Sequence, residues 1–161
     1  MKKITSVFII GFLLVVPVFL PGQTAAEMEE LLGKDAVSYQ QAASFVLKAA
    51  EVKAPNDAAG AFSFAAEQKW LPKNAAAGGE ARLDGVSLLL MQSFAVKGGL
   101  WYSIFKNPHY AYREMVYREI IQGRVDPGMA VSGSELIYLV NRILSIQGDG
   151  TKIASKTGGQ P

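Results

Sequence analysis

A chain of 161 residues with no cysteine, 50% hydrophobic residues and a formal charge of +2 can bury one ordinary core. It rules out disulfides, thiolate metal sites and cysteine nucleophiles. Two of its 16 basic residues are Lys2 and Lys3; without them 14 basic residues balance 14 acidic ones, so the remainder has no electrostatic case for binding nucleic acid.

Lys2 and Lys3, the apolar run 4–20 and the small and polar residues through Ala26 have the order of a secretory signal. Cleavage after Ala26 puts Thr24 at the −3 position. The competing reading is an uncleaved membrane anchor. The run is 17 residues with Pro17 inside it, short of the ~20 a span needs, so the signal 1–26 is preferred. An exported, periplasmic or cell-envelope location is expected, with membrane attachment only through an uncleaved signal.

Residues 27–32 read as a short acidic helix stopped by Gly33 and docking through Met28, Leu31 and Leu32. Ser38 and Gln41 make a capping box for a helix whose stripe is Ala42, Phe45, Val46 and Ala49. Beyond a connector containing Pro55, Asn56 or Asp57 caps a third helix carrying Phe62, Ala65 and Ala66, which ends near Trp70, Leu71 and Pro72. An Ala- and Gly-rich loop, 73–81, leads to a fourth helix from about Asp84 to Phe94. Its side chains are apolar nearly all round, which predicts a central position.

Gly98 and Gly99 break the chain before one or two bulky turns at 100–105. Asn107 then caps a helix with Pro108 at its first position. Its stripe is Tyr112, Val116 and Ile120 with His109 beside them, Ala111 and Met115 widen it, and Glu114, Arg118 and Glu119 stay wet. Gly123 is the expected left-handed cap and Asp126-Pro127-Gly128 the turn. Ser132 and Glu135 open the last helix with the stripe Leu136, Leu139, Val140, Ile143 and Leu144. Composition predicts a disordered tail, 147–161. No alternating run is convincing as a strand, so the fold class is all-α.

Trp70-Leu71-Pro72 at one helix exit matches Ile121-Gln122-Gly123 about 51 residues on, and the openings Val37-Ser38, Arg82-Leu83 and Val131-Ser132 recur at about 45 and 49. Such a period predicts helical units that share a core: two of them, 37–95 and 100–146, in one domain, 27–146. Ala111-Tyr112, Ile120-Ile121-Gln122-Gly123, Asp126-Pro127, Ser132-Gly133-Ser134-Glu135 and the run Leu139 to Leu144 with Arg142 then carry a likeness. Together they resemble the S-layer homology repeat, over about 40 residues. The segments Trp-Leu-Pro, Leu-Leu-Leu-Met, Lys-Gly-Gly-Leu and Tyr-Ala-Tyr-Arg-Glu look like those of exported spirochaete proteins of unknown function. The resemblance implies two helix-turn-helix repeats in a non-catalytic envelope module, whose better-known members bind cell-wall polysaccharide through an Arg of a Thr-Arg-Ala-Glu motif. Gly133 occupies that position here, Tyr39 in the first unit, and Leu83 or Gly85 in the second.

His109 is the only histidine, and no G-x-S-x-G elbow or other nucleophile signature accompanies it, so no catalytic residue is expected. It reads as packed at the core edge beside Tyr112. One His without Cys cannot supply three or four zinc ligands, so no metal or cofactor is expected. Glu114 and Glu119 point about 140° apart on a helix and read as exposed charges rather than an acid–base pair. Gly78-Gly79 and Gly98-Gly99 lack the context of a phosphate loop.

Trp101, Tyr102, Phe105, Tyr110 and Tyr117, interleaved with Lys106, Arg113 and Arg118, form the densest aromatic cluster. One reading has Trp101 and Phe105 plugging the core between repeats. The functional reading makes Trp101, Tyr102, Tyr110, Arg113, Tyr117 and Arg118 a face for a cell-wall or envelope glycan, or for an envelope protein. Its rivals are a small periplasmic enzyme with a cleft around His109, using Glu114 or Arg113, and a purely structural adaptor.

Overall fold

The computed structural model describes residues 21–123 and 125–157, with side chains from 25 to 148 apart from 124. Most of the signal segment, 1–20, and the last four residues lie outside the described residues. The described chain is all-α: α1 (Pro21–Leu32), α2 (Tyr39–Ala49), α3 (Ala58–Glu67), α4 (Leu83–Ser93), α5 (Leu100–Phe105), α6 (Pro108–Tyr117) and α7 (Gly133–Thr157). Strand-like pairing among the described residues is confined to the isolated bridges Ser38–Glu80 and Arg82–Ala130.

Helix starts follow local capping chemistry. Gln41 N–H donates to Ser38 Oγ at 3.4 Å and Ser38 N–H to Gln41 Oε1 at 3.0 Å, closing the capping box of α2. Asp57, rather than Asn56, caps α3 by accepting from Gly60 N–H at 2.8 Å. Asn107 accepts from Tyr110 N–H at 3.0 Å, and Ser132 from Glu135 N–H at 3.2 Å. The central position of α4 holds: Leu83, Val86, Leu88, Leu89, Leu90 and Met91 are all buried.

Helix ends follow another rule. α2, α3, α4 and α6 each exit through a left-handed residue that is not glycine: Glu51, Lys69, Ala95 and Glu119, at φ between 49° and 59°. The next N–H in each case returns five residues, as Val52 to Leu47 O, Trp70 to Ala65 O, Val96 to Met91 O and Ile120 to Met115 O. The left-handed turn costs about 1 kcal/mol, offset where the following apolar side chain folds back onto the helix foot. α6 therefore stops at Tyr117, and Glu119 takes the cap expected at Gly123, whose own φ of 81° serves the later turn. It also corrects the register of the exits: Lys69 matches Glu119, and buried Leu71 matches buried Ile121.

The three openings meet in the core. Val37 N–H donates to Val131 O at 2.9 Å, Val131 N–H to Ala81 O at 2.9 Å, and Ala81 N–H to Val37 O at 2.8 Å, a closed circle of fully buried residues. One turn further on, Tyr39 N–H donates to Gly79 O, Leu83 N–H to Met129 O and Gly133 N–H to Lys34 O. Packing follows the same cycle, α2 on α3, α4 on α6 and α7 on α1. Where the sequence spacing predicts two units, the backbone closes through three helix pairs, because α1 pairs with α7 and completes the circle.

Two further expectations concern the ends. Of Met28, Leu31 and Leu32 only Leu31 is buried, since α1 meets α7 on a narrow edge. α7 runs through Thr157, so residues 147–157 of the expected tail are helical backbone. Gly148 and Gly150 weaken a helix by about 1 kcal/mol each, but neither proline nor a left-handed cap stops a ladder already nucleated over about four turns.

Candidate ligand-binding face

α5 and α6 bring most of the predicted face together. Glu114 on α6 holds the approach to α5: its Oε2 accepts from Gly99 N–H at 3.0 Å and its Oε1 from Arg118 Nε at 2.8 Å. Its side chain is only 12% exposed, so it does not stay wet as expected. The Arg118 guanidinium also donates to Lys97 O. Arg118 thus braces the loop before α5.

Tyr102 turns inward, 5% exposed, and its Oη accepts from Gln92 Nε2 at 2.8 Å. Burial pushes its phenol up to about 12, against the smaller opposing effect of the Gln92 hydrogen bond. Trp101 and Phe105 turn outward, Trp101 to 62% exposure, so they do not plug the core. Trp101 stacks on Phe105 with ring centres 6.2 Å apart, Phe105 on Tyr110 at 5.5 Å, and His109 meets Tyr110 edge-on at 5.3 Å. His109 is exposed at the end of this ladder and touches Tyr110, not Tyr112 as expected; the first turn of α6 points it away from the core.

A hollow of about 190 Å³ lies between α5 and α6, lined by Trp101, Tyr102, Tyr110, Arg113 and Tyr117 among others. Five of the six predicted residues line it; Arg118 does not. Arg113 and Tyr117 also line a neighbouring hollow of about 430 Å³ with Tyr112, Val116 and Val125, where Tyr112 Oη donates to Val125 O. These two side chains stand on the ridge between the hollows, Tyr117 83% exposed. Chemically the face offers ring surfaces for stacking and one guanidinium for planar hydrogen bonding.

An acid–base assignment has little to work with on this face, since both Glu114 oxygens hold protein donors and His109 meets only a tyrosine ring. Among the described residues no three His, Asp or Glu side chains gather as a metal site would require. The three positions matching the polysaccharide-binding Arg, now in register as Tyr39, Leu83 and Gly133, are all buried. Burial also raises the Tyr39 phenol, whose oxygen accepts from Arg82 N–H at 3.3 Å.

Sequence reasoning missed one feature. A groove of about 420 Å³ runs between α1, α2 and the start of α3, with Glu27, Glu30, Gln40 and Asp57 on its walls and Lys48 paired to Glu27 at 3.1 Å. No motif announces it, because it exists only once α1 docks beside α2. No described helix is long and apolar enough to cross a membrane. Comparison with known proteins finds no matching family model, no matching curated protein and no matching solved structure.

Proposed function

We propose that the protein is an exported, non-catalytic cell-envelope module, built on S-layer-homology-like helical units, that binds an envelope glycan on the α5–α6 face. The observation carrying this reading is the open hollow lined by the rings of Trp101, Tyr110 and Tyr117 beside the guanidinium of Arg113, which has no ion pair among the described residues. Sugar rings stack on such faces, and a planar cation hydrogen-bonds their hydroxyls or acidic groups. The cyclic joining of three helix openings supports a repeat origin. Burial of Tyr39, Leu83 and Gly133 argues that a ligand would sit on α5–α6 rather than at the position of the motif Arg.

The test is capture of purified wall and envelope polysaccharides by the native chain and by Tyr117→Ala combined with Arg113→Ala. The double variant is expected to lose at least about tenfold in affinity, since truncating two central contacts removes roughly 1.4 kcal/mol or more. Unchanged capture of every glycan would remove the face from consideration. Retention of an envelope protein instead, sensitive to the same substitutions, would turn the reading toward a protein partner.

A further inference from the structure

α5 is built inside out. Helical spacing puts Leu100, Ile104, Trp101 and Phe105 within about 140° of one side, and each is more than half exposed. Tyr102 alone points into the molecule and fastens the helix through Gln92. Scattered surface hydrophobics need no explanation, but four on one side of a six-residue helix, extended by the stacked Tyr110, form a contiguous apolar patch of the kind that marks an interaction surface.

The charges around the patch indicate what covers it. Lys97 and Lys106 bracket α5 and Arg113 lies behind it, all exposed and none ion-paired among the described residues. Of the nearby acids, Glu114 is neutralised by Arg118, leaving Glu119 at the far end of α6. A second copy of the chain would bring these cations against one another. A bilayer carrying anionic headgroups complements both parts of the surface: aliphatic and aromatic side chains for the headgroup–acyl boundary, with lysines at the level of the phosphates.

We infer that α5 is an interfacial anchor, with Leu100, Trp101, Ile104 and Phe105 entering the surface of an anionic membrane and Lys97 and Lys106 lying against its phosphates. This attachment is separate from anything the N-terminal apolar run provides; it shares Leu100 and Trp101 with the lining of the α5–α6 hollow, and it does not rest on that hollow taking a glycan.

The full chain is mixed with vesicles of phosphatidylglycerol and phosphatidylcholine, or of phosphatidylcholine alone, each with and without brominated acyl chains. The run 4–20 can hold the chain on any vesicle, so the signal must come from α5 itself. The chain has two tryptophans, Trp70 and Trp101, and the Trp101 signal is the difference between the native chain and Trp101→Phe. On phosphatidylglycerol vesicles Trp101 emission is expected to shift to the blue and to be quenched by bromine, while Trp101→Phe stays unquenched. Ile104→Glu with Phe105→Glu, both on the surface, should abolish the quenching with the far-ultraviolet helix signal intact, whereas Tyr117→Ala should leave it in place. Native Trp101 that is unquenched on both vesicles overturns the inference. So does equal quenching on phosphatidylcholine alone, and so does self-association in solution that Ile104→Glu abolishes without any quenching of the native chain.

Discussion

Gly133 has no room for a β carbon: one built there would overlap the carbonyl oxygen of Leu31. The contact exists because α7 starts against the last turn of α1, with Gly133 N–H donating to Lys34 O at 2.9 Å. Gly133→Ala must push two backbones apart and is expected to cost about 3 kcal/mol or more, seen as a lower urea midpoint with an unchanged slope. A loss under about 1 kcal/mol would mean that α1 yields freely and is not part of the cooperative core. Gly85 follows the same logic, with the ring of Tyr39 packed where its side chain would be. Neither constraint is legible in Ser132-Gly133-Ser134 or Asp84-Gly85-Val86, since the obstructing atoms lie about 100 and about 46 residues away in the chain. Glu114 misleads for the same reason: its spacing says solvent, but the Gly99 amide and Arg118 draw it in.

At the scale of the helix, α5 owes its position to one buried phenol. Tyr102 titrates from an ordinary value of 10.0 when unfolded to about 12 when folded, so the folded state favours its neutral form. Its contribution is present in full below about pH 10 and is lost as pH rises toward 12. Urea unfolding at about pH 8 and about pH 11 should show a loss of stability that is smaller in Tyr102→Phe, though not absent, because the buried Tyr39 phenol is raised in the same direction. An identical loss in the variant would mean that Tyr102 ionises as freely in the folded chain as in the unfolded one. The helix starts were legible because Ser38, Asp57, Asn107 and Ser132 cap within three residues of their own position. The exits were not, because Glu51, Lys69, Ala95 and Glu119 carry none of the glycine signal of a left-handed turn. The outward face of α5 was hidden too: six residues are too few for periodicity to say which side is buried.

Over the whole molecule the circle of Val37, Ala81 and Val131 ties together chain ends and middle, so it cannot open without separating all three helix pairs. Native-state hydrogen exchange should find these three amides exchanging only through global unfolding, while the Ser103 and Lys106 amides of α5 exchange at least about a hundredfold faster through local opening. Exchange of Val37 at the α5 rate would show that the circle does not bind the fold together. By itself the sequence determined that the described chain is helical, where the helices capped by Ser38, Asn107 and Ser132 begin, that α4 is central and that aromatic residues crowd onto two adjacent segments. Those properties follow from caps and from the 3.6-residue period, which act within a window of a few residues. Only the tertiary structure decided that three helix pairs rather than two close the core, that Tyr102 turns in while Trp101 turns out, and that Arg118 braces the loop before α5. Each of these depends on which distant backbone arrives at a position, and a local pattern carries no record of that meeting.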